Sequence, residues 1–126
     1  MTLEFLPIDR LPGYAGTLDA TRHPELANRF HFWRGRSGRR YACTRFSLPR
    51  RPAYENAVYL HVRRRAGEAQ VLGVSTDGKL ALPAGTDEVH VHLVQGCDED
   101  LQAAFEDLSA LVLRRAPLYV IERQAA

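Results

Sequence analysis

Arginine dominates the chemistry open to this chain. Eight of them, Arg29, Arg34, Arg36, Arg39, Arg40, Arg45, Arg50 and Arg51, occur in one stretch without an intervening carboxylate. Phe30, Phe32, Trp33, Tyr41 and Phe46 are interleaved with them. Guanidinium groups fork onto phosphate oxygens, and aromatic rings stack on bases, so the combination suits a polyanion. The formal net charge of +2 hides a separation: residues 22–65 carry +10 and residues 66–126 carry −6. Such asymmetry points to nucleic acid or to an acidic protein partner. A GC-rich coding genome would account for sixteen arginines against the single Lys79, but not for the acids' avoidance of the same stretch.

Other residues could hold a metal or a nucleophile. His90 and His92 lie two apart, so on a strand they point the same way, and His61 could join them from a neighbouring strand to make a divalent-metal site. No cysteine or carboxylate motif accompanies them, and half-exposed histidines on a sheet explain the spacing equally well. Whether His61, His90 and His92 converge depends on strand pairing; the expectation is no metal and no cofactor. Cys43 and Cys97 lack CxxC spacing, which fits a reducing compartment, although a bridge between them stays open. Cys97 precedes a helix start, where a thiolate would be stabilised, but no nucleophile signature surrounds it. Ser75, Thr76 and Asp77 resemble a turn, and Gly67, Gly73, Gly78 and Gly85 are too scattered to cradle a phosphate. No catalytic residue is assigned.

The elements that must position these groups are mostly strands. Phe30 to Arg34, a Gly35–Gly38 loop and Arg39 to Leu48 have the form of a β-hairpin. Alternation puts Tyr41, Cys43 and Arg45 on one face of its second arm, and Ala42, Thr44, Phe46 and Leu48 on the other. In Asn56 to Arg64, Val58, Leu60 and Val62 oppose Ala57, Tyr59, His61 and Arg63. Gln70 to Ser75 and Glu88 to Val94 are further strands, with a turn at Asp77-Gly78. Asp98 is the expected N-cap of a long helix whose stripe is Leu101, Ala104, Phe105, Leu108, Leu111 and Val112. Arg114 and Arg115 suit its end, Pro117 stops it, and Leu118 to Ile121 reads as a last strand. Residues 1–28 read as an irregular lead-in, with a short helical turn after Pro24, and residues 29–126 as a single domain. The fold class is α+β: a mainly antiparallel sheet with one long amphipathic C-terminal helix packed on a face.

Ala57-Val58-Tyr59 followed by Val71-Leu72-Gly73-Val74-Ser75-Thr76 resembles the two opening strands of GIY-YIG nuclease domains. Tyr59 matches the first tyrosine of that family and Gly73 its glycine, while Val71 stands where the second tyrosine would be. The catalytic arginine has no counterpart in Asp77-Gly78-Lys79, nor the metal-holding glutamate an assignable one, although Glu106 lies on the later helix. The resemblance implies an inactive relative that keeps the sheet.

The expectation is a non-enzymatic binding module whose hairpin engages nucleic acid. Arg34, Arg36, Arg39, Arg40 and Arg45 would contact phosphate, with Trp33 and Tyr41 stacking on bases. The alternative is an assembly subunit pairing its basic face with an acidic surface, including that of a second copy. The first ten residues lack a signal peptide's pattern, and no eighteen-residue apolar run exists, so a cytoplasmic, non-membrane setting is expected.

Overall fold

The computed structural model describes residues 12–17, 29–66, 68–113 and 115–117. Among the described residues seven strands form one sheet: β1 (Gly13–Thr17), β2 (Phe30–Arg34), β3 (Arg40–Ser47), β4 (Ala57–Arg65), β5 (Glu68–Ser75), β6 (Glu88–Leu93) and β7 (Arg115–Pro117). Their order is β1-β2-β3-β6-β4-β5-β7, and every neighbouring pair is antiparallel. The late strand β6 is thus inserted between β3 and β4. The sheet curls until β1 and β7 come into contact, which gives it an inner and an outer face.

The alternation expected for β3, β4 and β6 is the one observed. Trp33, Tyr41, Cys43, Val58, Leu60, Val62, Ala69 and Val71 are buried on the inner face, packed against α1 (Asp98–Ser109). A smaller outer cluster joins Ala57, Tyr59, Val89 and Val91 to Phe46, Leu48 and Leu82. No helix among the described residues is long and apolar enough to cross a membrane.

Three expectations need correction. The helix is short: twelve residues, after which Ala110–Leu113 tightens into a 3-10 turn. Residues three apart eclipse in that geometry, so Leu111 continues the line of Leu108, and both are fully buried with Ala104. Leu101, Phe105 and Val112 flank this line and are only half-buried. Secondly, the N-cap is Cys97, because the Asp100 carboxylate reaches back to accept the Cys97 backbone N–H at 2.9 Å. Thirdly, residues 13–17 are not irregular. They pair with β2 as β1, although Gly13 and Gly16 adopt positive φ and the register shifts between Tyr14 and Thr17. Two glycines and a bulge erase the alternation by which a strand is recognised. The turn after Pro24, Arg114 and the strand proposed for Leu118 to Ile121 lie outside the described residues; Arg115 begins β7.

Candidate functional site

The β2–β3 hairpin pairs Phe30 with Thr44, Phe32 with Ala42 and Arg34 with Arg40 on its outer face. His31 pairs with Cys43, and Trp33 with Tyr41, on the inner one. Its loop is closed by Gly35 N–H to Arg39 O at 2.9 Å and Gly38 N–H to Gly35 O at 3.0 Å. Asp107 of α1 then fastens the tip. Its Oδ1 accepts the Ser37 backbone N–H, and its Oδ2 accepts the Ser37 and Tyr41 hydroxyls, each at 2.7 Å. The Asp107 carbonyl takes the Arg36 N–H at 3.0 Å. This close docking requires glycine at position 35, where a Cβ would lie 2.5 Å from Asp107 Oδ2. Partial burial alone would raise the Asp107 pKa, but the Ser37 and Tyr41 bonds, with nearby Arg39, bring it below the ordinary aspartate value.

The arginines sit on this fastened frame. Arg34 Nη1 donates to Gly38 O at 2.9 Å, and the Arg40 guanidinium lies over the Phe32 ring, 4.4 Å from its centroid. Arg39 lies 5.1 Å from the centroid of Tyr41. Arg36, Arg39 and Arg40 are exposed and Arg34 is half-buried. Like charges directly opposite on a ladder repel, so the Arg34–Arg40 pair is an electrostatic cost. Among the described residues, the arginines in ion pairs are Arg45, Arg64 and Arg65, not these four.

Three sequence-based assignments change. Trp33 and Tyr41, expected to stack on bases, are 1 % and 3 % exposed, because their parity turns them towards the helix. Arg45 shares that inner face, and its Nε is bound to Glu88 Oε1 at 3.1 Å rather than presented with the hairpin cations. Phe32, one of the interleaved aromatics, lies instead on the outer face with Arg34 and Arg40. Parity carried this signal: Phe30, Phe32 and Arg34 alternate with His31 and Trp33.

The inner face also holds a polar network. The Trp33 indole donates to His90 Nδ1 at 2.8 Å, and His90 Nε2 lies 2.6 Å from Glu88 Oε2. An indole N–H can only donate, so His90 Nδ1 carries no proton and Nε2 holds the ring hydrogen. Burial agrees, lowering the His90 pKa. Burial would raise that of Glu88, but His90, Arg64 and Arg45 together hold it well below the usual carboxylate range. Arg64 Nη2 lies 3.1 Å from Glu88 Oε2. The His31 ring stacks on His90 at 4.6 Å, and its Nδ1 is hydrogen-bonded to the Tyr14 hydroxyl at 2.9 Å. Buried, paired and walled by Trp33, this assembly reads as a core polar network.

Register answers the histidine question. Leu60 pairs with His90 and His61 with Val89, so His61 occupies the opposite face from His90 and His92, and the three do not converge. His92 Nδ1 is held by the Ala42 carbonyl at 2.8 Å. Among the described residues no group of three or more His, Cys, Asp or Glu side chains is arranged to hold a metal ion. Cys43 is buried, Cys97 is exposed and both are free thiols. The Tyr59 hydroxyl accepts the Tyr54 N–H at 2.6 Å and donates to the Tyr54 carbonyl at 3.0 Å, which pins the loop before β4. Beside it, Ala53–Glu55 and Thr76–Lys79 line an open pocket of about 370 Å³. Gly73 lies opposite His61 on β5, and Glu106 is exposed on α1. Comparison with protein-family models, curated proteins and solved structures finds no match to this chain.

Proposed function

We propose that the chain is a non-enzymatic binding module whose hairpin engages nucleic acid through Arg34, Arg36, Arg39 and Arg40. The observation that carries the reading is the opposed Arg34–Arg40 pair on a hairpin tip fastened by Asp107. Repelling cations held in place, without a carboxylate partner among the described residues, are relieved when a polyanion binds. Preorganisation by Gly38 O and Phe32 lowers the entropy lost on binding. On this reading the likeness to GIY-YIG domains concerns the β4–β5 sheet and not an activity, since the Tyr59 hydroxyl is engaged by Tyr54. The free thiols fit action in the reducing cytoplasm.

A second reading is favoured by one observation. Asp98, Glu99 and Asp100, all exposed, open α1 and present an acidic surface that the hairpin of a second copy would fit. Titration against DNA and RNA over a range of salt concentrations tests the first reading. Affinity should fall steeply with salt, and changing the four arginines together to glutamine should flatten that slope. Absence of binding at low salt, with a salt-sensitive dimer in solution, would replace it by the second.

A further inference from the structure

Resting on the nucleic-acid reading, we infer that the ligand is single-stranded, and that an unpaired base stacks on the guanidinium plane of Arg40 above Phe32. Arg40 is exposed, and its inner side is already occupied by the Phe32 ring at 4.4 Å. Its outer side is therefore a flat cation whose orientation is fixed. Unpaired bases stack on aromatic rings and on arginine planes alike, whereas duplex bases are already stacked on each other and offer only edges and phosphates.

The surroundings suit a strand lying along the sheet. Phe32 pairs with Ala42 across the hairpin. Thr44 pairs with Val91, and Leu93, two residues further along β6 on the same face, is 54 % exposed. Ala42 is also exposed, so beside Arg40 the floor is low and apolar. Arg34 sits directly across the ladder from Arg40 to take a phosphate, and the exposed Arg36 lies in the loop that joins the two strands. Apolar floor and cationic border together fit bases with a phosphodiester backbone better than a purely acidic protein surface.

Binding of a labelled single-stranded oligonucleotide and of its duplex, followed by fluorescence anisotropy, tests the inference. The key variant is Arg40→Lys, which keeps the charge but removes the planar stacking surface. Single-strand affinity should fall roughly tenfold, in line with loss of one stacked base, and duplex affinity should fall clearly less, because lysine still meets phosphate as a point charge. Phe32→Leu should act in the same direction by freeing the guanidinium. Arg40 is a surface residue, so its variant decides the matter even if Phe32→Leu unfolds the chain. Equal losses for both ligands, no loss for either, or a preference for duplex would overturn the stacking inference and leave the phosphate reading standing. No binding to either ligand by the parent protein would remove both.

Discussion

Replacing Asp107 by alanine removes three hydrogen bonds in one step: from the Ser37 N–H, the Ser37 hydroxyl and the Tyr41 hydroxyl. Each such bond contributes about 1 kcal/mol net, more when the acceptor is ionised and less when water can replace it. Two of the three lie at the exposed tip, where water substitutes readily. The third leaves the hydroxyl of a Tyr41 that is only 3 % exposed without its acceptor. We expect Asp107→Ala to cost about 3 kcal/mol, a large share of the roughly 5–15 kcal/mol that holds a small domain folded. Asp107→Asn separates charge from geometry. Its carbonyl can still accept the Ser37 N–H, and its amide can donate to both hydroxyls, which turn to accept. Only charge assistance is lost, so the cost should be about 1 kcal/mol. Urea unfolding followed through the single tryptophan, Trp33, measures both. An alanine variant within about 0.5 kcal/mol of the parent, below the ordinary net value of one hydrogen bond, would refute the claim that Asp107 fastens the hairpin.

Acid should destabilise the fold in two stages. The His90 pKa is lowered from 6.5 and that of Glu88 from 4.5, so the unfolded chain takes up these protons first. Their stabilising contribution is complete above those values and is lost as pH falls below them, visible as a urea midpoint declining from neutrality; a midpoint flat down to pH about 4 would contradict the network. Leu108→Ala should cost about 2–5 kcal/mol because Leu108 is fully buried, and half-buried Phe105→Ala should cost less; calorimetry giving the reverse order would misplace the helix. Gly78→Ala would bring a Cβ to 2.6 Å from the Tyr59 hydroxyl, so a loss of about 1–3 kcal/mol is expected, and an unchanged melting temperature would deny that Tyr59 pins its loop. A thiol reagent should titrate one cysteine, Cys97, in the native protein and Cys43 only after denaturation. Burial raises the Cys43 pKa and withholds its thiolate, and two fast thiols would disprove that burial.

Period-two alternation made the hairpin, β4 and β6 legible, because each has one face against a core and one turned away. That same parity could have chosen the rings correctly: Trp33 goes inward with His31, and Phe32 outward with Arg34. Preferring Trp33 and Tyr41 as stacking residues followed residue type instead of strand face. Arg45 was misplaced for a related reason, since its partner Glu88 lies 43 residues away and becomes adjacent only through β3–β6 pairing. The separation of His61 from His90 likewise depended on the Leu60–His90 register, a tertiary fact. Strand β1 left no readable signal because Gly13, Gly16 and a bulge interrupt it. Helix length was overestimated because a 3-10 turn keeps Leu108 and Leu111 in line much as an α-helix would.

Inserting β6 between β3 and β4 governs how the chain assembles. β3 and β4 both run antiparallel to β6, so they share no ladder and stay separated until residues 88–93 arrive. A nascent chain ending before Glu88 therefore holds two local units, the β2–β3 and β4–β5 hairpins, each with an unsatisfied strand edge. Such edges favour pairing with other chains over waiting. Closing the gap demands contacts between residues more than forty positions apart on the β3 side, which slows folding relative to a simple meander. A truncation before β6 should consequently aggregate and not yield a smaller working domain, and the arginine hairpin should have no independent existence apart from the strand that joins the two halves.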